Sequence, residues 1–207
     1  MSKVVIQGNA SGTGDFTIAA PNSNTDRTLT LPDVAGTVLT SGSNADFPAG
    51  SVLQVVQTVK SDTFSSNSQT TFVDITGMSV DITPSSVSNK ILVTYNLCSS
   101  ITNGAYAFWC RLVRNSTDIA QGTPSGNRTN ATTGGLSSTT HGHYPIYVQN
   151  MTFLDSPATT SATTYKLQGR GWNTGPGNFY VNQSAADNDA LNFARLVSTI
   201  TAMEIAG

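Results

Sequence analysis

The chain has 207 residues and a formal net charge of −2, and charged side chains occupy 11% of its positions; no basic block is present to meet a phosphate backbone, which argues against nucleic-acid binding. Its 24 Ser, 30 Thr and 17 Asn make up a third of the sequence, against one Glu (Glu204) and four Lys, a balance that suits strand and turn surfaces and disfavours helix surfaces. Ordered alternation of Val, Ile, Leu and aromatic residues excludes a disordered chain, and no apolar run approaches the ~18 residues of a membrane span.

In residues 1–46, Thr28 to Leu31 alternate, Val34 and Val38 follow Pro32 and Gly36, and most of the rest is Ser, Thr, Asn and Gly. So few apolar side chains, spread so widely, do not offset the entropy of ordering the segment by itself. The segment therefore predicts a strand-rich stalk or particle-attachment piece, intertwined with two further copies, that buries Leu29, Leu31, Val34, Val38 and Leu39 near a threefold axis. Burial of that kind adds several kcal/mol per chain at ~25 cal/mol per Å². A Gly/Ser/Asn linker over 41–50 leads into a second part, residues 47–207.

Residues 51–59 open this second part as a strand, and 71–82 alternate around Gly77, which predicts a bulge or bend. In 90–98, Ile91, Val93, Tyr95 and Leu97 share a face. In 106–114, Tyr106, Phe108, Cys110 and Leu112 alternate with Trp109, Arg111 and Val113. Both stretches read as central strands with a buried side, and Trp109 is expected inside. A hairpin pairing centred on Gly104 would set Cys98 opposite Cys110; the start MSKVVIQGNASG carries no export signal, so the two read as reduced core thiols in preference to a strained disulfide.

The polar insertion at 115–140 is longer than an ordinary connection, which marks it as a mobile loop or a contact surface. Residues 144–154, 163–168, 179–182 and 193–205 supply four more strands. With eight to ten strands in all, the chain is expected to be all-β: an extended N-terminal stalk or anchor (1–46) followed by a jelly-roll-like β-sandwich knob (47–207), assembled as a homotrimer. Alternation that runs unbroken to Ile205 predicts a last strand tied into the middle of a sheet.

Catalysis asks for convergent titratable groups, and one Glu, two His and Asp residues scattered through turns offer none, so the chain reads as not an enzyme. The Gly12–Gly14 and Gly175–Gly177 pieces lack the Lys-Ser/Thr of a phosphate loop. Asp26, Asp33, Asp187 and Asp189 are turn residues without calcium-ligand spacing. His141 and His143 stand two apart, on one side of an extended strand, so that three chains would offer six imidazole nitrogens to a transition-metal ion on the trimer axis; the plain alternative is a solvated loop edge. Trp172, Phe179 and Tyr180 lie in the Gly/Asn-rich stretch RGWNTGPGNFYVN, where rings at loop tips stack on sugars or fill a partner's pocket, or else fill the core or a subunit seam. Asn127 and Arg128 of the polar insertion join them as contact candidates.

The strings TLTLPDVAGTVLTSG, GSVLQVVQTVKSDTF, VDITGMSVDITPSSVSNKILV, FLDSPATTSATTYKLQGRG and the ending STITAMEIAG resemble the fibre and receptor-binding proteins of tailed bacteriophages, especially marine and cyanobacterial ones, over nearly the whole chain. The resemblance implies a homotrimeric protein on the exterior of the virion, made in the host cytoplasm. Its N-terminal segment would dock on other virion proteins, and its jelly-roll knob would meet a host-surface glycan or protein, with no membrane insertion. The length suits a small head or collar fibre, or the distal piece of a longer tail fibre. His-x-His metal sites occur on the axis of phage fibre tips, in runs along a needle, whereas the pair here precedes a strand of the knob. The alternatives are a capsid or tail cement protein that binds no receptor, a carbohydrate-binding module and a depolymerase. If the histidines hold an axial metal, the purified protein carries about one equivalent of iron, nickel or zinc per three chains and His141→Ala loses it; a lower content, unaltered by the substitution, removes the site.

Overall fold

A computed structural model describes residues 47–102, 107–136, 145–172 and 177–207, with positions 11–14, 17, 22–26, 28, 30, 33 and 35 before them. The chain divides into two units, Met1–Val38 and Leu39–Gly207. In the first unit the described positions are all exposed. Leu29, Leu31, Val34, Val38 and Leu39, on which the stalk expectation rests, lie outside the described residues, as do His141 and His143.

The second unit is an all-β sandwich. Sheet A holds β1 (Val52–Lys60), β2 (Phe64–Ser66), β4 (Lys90–Ile101), β8 (Tyr147–Asp155), β10 (Phe179–Val181) and β11 (Ser198–Ile205); sheet B holds β3 (Val73–Ile82), β5 (Ala107–Arg114), β6 (Thr117–Ile119), β7 (Thr133–Leu136) and β9 (Thr163–Trp172). Every pairing is antiparallel. β4 is central to sheet A: β8 runs along one side, while β11 and then β10 share the other. Because β1 pairs with β11 and β2 with β10, six strands fill four lanes. Sheet B repeats the device, with β6 and β7 sharing the side of β5 that β9 leaves free. Lane order β1-β11-β4-β8 over β3-β9-β5-β7 is the strand order of a jelly roll.

Alternation along each strand sets the core. Ile91, Val93, Tyr95 and Leu97 of β4, with Ile200 and Ala202 of β11, face Phe108, Cys110 and Leu112 of β5 and Tyr165 and Leu167 of β9. Phe179 closes one end of it, its ring centroid 4.9 Å from that of Phe108 and 5.9 Å from that of Phe64. The bulge expected in 71–82 is present: Gly77 has φ +82° and the β3–β9 register shifts between Asp74 and Ser79, a conformation that glycine adopts without steric cost.

The hairpin expectation is corrected. β4 and β5 lie in different sheets and do not pair, so Cys98 and Cys110 are not cross-strand neighbours. Both cysteines are free. Cys110 is fully buried in the core, and burial pushes its thiol up to about 12. Cys98 lies on the outer side of sheet A, its thiol 3.5 Å from the Val197 carbonyl that accepts from it.

Three polar sites hold the layers. Where the β1/β2 and β11/β10 lanes break, buried Asn182 donates Nδ2 to the carbonyls of Lys60 (2.8 Å) and Asp62 (2.9 Å), and its Oδ1 accepts from Ser198 Oγ (2.6 Å). Between the sheets, Asp155 at the end of β8 accepts from Arg114 Nη1 at 2.8 and 2.9 Å and from the Tyr165 hydroxyl at 2.6 Å. Lastly, β11 sits between β1 and β4, as its alternation predicts, and carries Glu204 on its inner side. Only 1% exposed, the carboxylate accepts from Gln54 Nε2 (2.6 Å), the Ser85 amide (2.6 Å) and hydroxyl (2.8 Å), and Asn89 Nδ2 (2.6 Å).

Burial pushes the Glu204 carboxyl up, but the bonds from Asn89, Gln54 and Ser85 outweigh it and hold the group below its ordinary value. A depressed carboxyl contributes stability in full above its unfolded-state value and loses it as pH falls through the folded one. Glu204→Gln is therefore expected to cost about 2–4 kcal/mol at neutral pH, and to flatten the loss of stability below about pH 4.3. Denaturant titrations at neutral and acid pH check both effects; equal acid slopes for the two proteins contradict this role for the carboxylate.

Candidate contact surface

On β9 the odd positions Tyr165, Leu167 and Gly169 turn inward, so Thr164, Lys166, Gln168, Arg170 and Trp172 line the outer side of sheet B. Register sets Trp109, Arg111 and Val113 of β5 beside them, with Asp74 and Asp81 of β3 on the other flank. The charged groups pair laterally. Lys166 Nζ lies 2.9 Å from Asp74 Oδ2, Gln168 Nε2 donates to Asp74 Oδ1 (2.5 Å), and Arg111 donates to Gln168 Oε1 (2.7 Å) and Asp118 Oδ2 (2.5 Å). The hydrogen bond from Lys166 is the main reason that Asp74 is held below the usual carboxylate value. The Phe72 ring lies beneath two guanidinium groups, Arg111 at 4.5 Å and Arg170 at 5.5 Å, a favourable cation–π arrangement.

Arg170 fastens the polar insertion to this side. Its Nη1 donates to the Thr70 carbonyl (2.9 Å) and its Nη2 to Thr129 Oγ1 (2.5 Å). The insertion is thereby more ordered than a long loop: it begins with β6, ends with β7, and turns at Ser125–Arg128, where the Arg128 amide donates to the Ser125 carbonyl (3.2 Å) and its Nη1 to Ser125 Oγ (3.1 Å). Asn127 and Arg128 are exposed at that turn. On the other side of Arg170, Trp172 is 47% exposed. Trp109 is half-buried on the outside of the sheet, not inside as expected; its ring covers Gly134, where a methyl group would stand 2.1 Å from Cε3.

The predicted contact residues do not form one cluster. Trp172 lies on the outer side of sheet B, two residues along β9 from Arg170, which binds Thr129 next to the Asn127–Arg128 turn. Phe179, by contrast, is fully buried and is withdrawn as a surface contact. The strand Phe-Tyr-Val turns its first and third residues into the core, which leaves Tyr180 on the outer side of sheet A, where its hydroxyl accepts from Thr102 Oγ1 at 3.3 Å. Sequence reasoning missed Phe72, Trp109 and Arg170; the parity shared by Trp109 and Arg111 was the available signal for the first tryptophan, since a sheet position alternating with a buried set faces out. Of the turn aspartates, Asp187 is paired with Arg195 (2.7 Å). Among the described residues no group of three or more His, Cys, Asp or Glu is placed to hold a metal ion.

Neither a protein-family profile nor a curated protein matches the sequence. Among solved structures the chain is similar to a chain of infectious bursal disease virus, Gx strain (TM-score 0.39, 14% identity, over 84% of this chain and 43% of that one). It is also similar to a chain of the T13 particle of that virus (0.41, 14%, 84% and 40%) and of its VP2 subviral particle (0.36, 14%, 74% and 37%). The chain thus spans less than half the length of each of them. The two rings once grouped together are expected to behave oppositely: Phe179→Ala costs about 3–5 kcal/mol, whereas Trp172→Ala costs no more than about 1 kcal/mol. Thermal unfolding of the two variants checks this, and comparable losses contradict the placement of the rings.

Proposed function

We propose that the chain is a structural protein of a virus particle, a homotrimer attached through residues 1–46 that presents its jelly roll to the host surface. The motif resemblance to phage fibre proteins motivates this reading, and the jelly-roll strand order agrees with the knob it implies. The observation that carries the contact role is the outer side of sheet B, where the exposed Trp172 stands two residues along β9 from Arg170, whose bond to Thr129 fastens the insertion that carries the exposed Asn127–Arg128 turn. Around them the other charged side chains are largely committed to one another, so a ligand meets an aromatic ring, the exposed Arg128 guanidinium and a hydrogen-bonding rim. That is a surface suited to a sugar's apolar face or to a protein pocket. The reading assigns the chain no catalytic role.

Fluorescently labelled full-length protein, incubated with a panel of marine bacterial and cyanobacterial cells, is expected to bind some of them saturably. Trp172→Ala and Arg128→Ala, both folded, are expected to weaken binding about tenfold or more. A folded, oligomeric protein that labels no cell overturns the contact role and leaves the cement reading, and one that binds equally well without Trp172 and Arg128 overturns the assignment of that role to the outer side of sheet B.

A further inference from the structure

The two outer sides of the sandwich differ sharply in charge. Sheet B carries Asp74, Asp81, Arg111, Lys166 and Arg170. Sheet A carries Val55, Gln57 and Val59 on β1, Thr199, Thr201, Met203 and Ile205 on β11, Leu92, Thr94, Asn96 and Cys98 on β4, and Val148, Asn150, Thr152 and Leu154 on β8. Among the described residues of these four strands, Lys90, at the border, is the one charged side chain on this side. Register aligns Val55, Met203, Leu92 and Leu154 into an apolar row across all four lanes. Of the exposed large apolar residues, Val55 (56%), Val59 (56%), Val148 (55%) and Leu154 (47%) lie on this side, with Val52 (55%) and Val197 (50%) at its margin.

We infer that the outer side of sheet A is covered by further copies of this chain. The inference deepens the reading above, in that it names the surface through which the knobs associate. A face without charge meets its own copy with no like-charge repulsion and no ion to desolvate, and depletion of charge is what marks the centre of protein interfaces. A surface evolved for water alone would look like sheet B. Four lanes ~4.8 Å apart and about eight residues long span roughly 500 Å² in projection. Two such faces together make on the order of 1,000 Å², the area that a specific interface between two chains needs.

The test is chain-to-chain crosslinking of the full chain from a photo-crosslinker at position 154, alone and with Val55→Glu/Val148→Glu, since a stalk intertwined over residues 1–46 holds the mass whatever the knobs do. Both substituted positions are exposed on edge strands, so the doubly substituted chain is expected to keep its unfolding temperature, while links between two chains at β1, β4, β8 or β11 fall about tenfold. Ser79→Glu, on the outer side of sheet B, is expected to leave the yield of those links unchanged. Absence of such links in the natural chain, links to residues 1–46 in their place, or a folded double variant whose links are undiminished overturns the inference. Cell labelling reads the contact role separately, because that role can fail while the links still respond to charge on sheet A.

Discussion

Glu204 is the constraint on which the sandwich turns. It is the sequence's one glutamate, it lies on the core side of the central strand β11, and no cation faces it among its hydrogen-bond partners. A buried carboxylate without a counter-ion is costly unless hydrogen bonds replace its water, and here the replacements come from two segments far from Glu204 in sequence. Gln54 brings β1, while Ser85 and Asn89 bring the turn between β3 and β4. The ends of the unit close over the same place: the Gly50 amide donates to the Ala206 carbonyl (2.8 Å), the Ala206 amide to that of Ser51 (2.9 Å), and the Gly207 amide to Asn89 Oδ1 (3.1 Å). The last strand enters the sheet only when β1, β4 and the β3–β4 turn are all in position, which makes the closure of the jelly roll a single cooperative event.

A second consequence concerns the outside. Once β11 is fixed between β1 and β4 with Glu204 inward, the alternation of its neighbours obliges Met203 to face out in register with Val55, Leu92 and Leu154, and Ile205 to face out between Val52 and Lys90. The same bond network that buries a charge on one side of the strand thus sets an uncharged row on the other. Sheet B solves its surface differently, by lateral ion pairs and a guanidinium–phenyl stack that keep long side chains flat and hydrated. The two faces of one sandwich are thus built to opposite rules, an uncharged row on sheet A and lateral ion pairs on sheet B.

Much of this was legible in the sequence where strands are long and alternate. Ile91 to Leu97, the bulge at Gly77 and the central placement of the last strand all follow from period-two patterns. The rest was hidden for definite reasons. β2, β6 and β7 are three or four residues long, too short to show a period, so the polar insertion looked like one loop. The link between β4 and β5 carries turn residues suited to a hairpin, yet jelly-roll connectivity sends β5 to the opposite sheet. Phe179 was left open between a loop-tip contact and a core ring because Gly and Asn surround it, whereas three residues of strand sufficed to turn it inward. Glu204 was conspicuous as a lone residue type, but its donors lie up to 150 positions away, and local pattern does not reveal them.

The central claim is that sheet A faces other copies and sheet B faces outward. Electron-microscopy class averages of the full-length protein, with a Fab or nanobody raised to the Ser125–Arg128 turn as a marker of sheet B, test it most directly. The account predicts several lobes around an axis with every marker pointing away from the centre. Single lobes, or markers crowded at the axis with sheet A outermost, would contradict it.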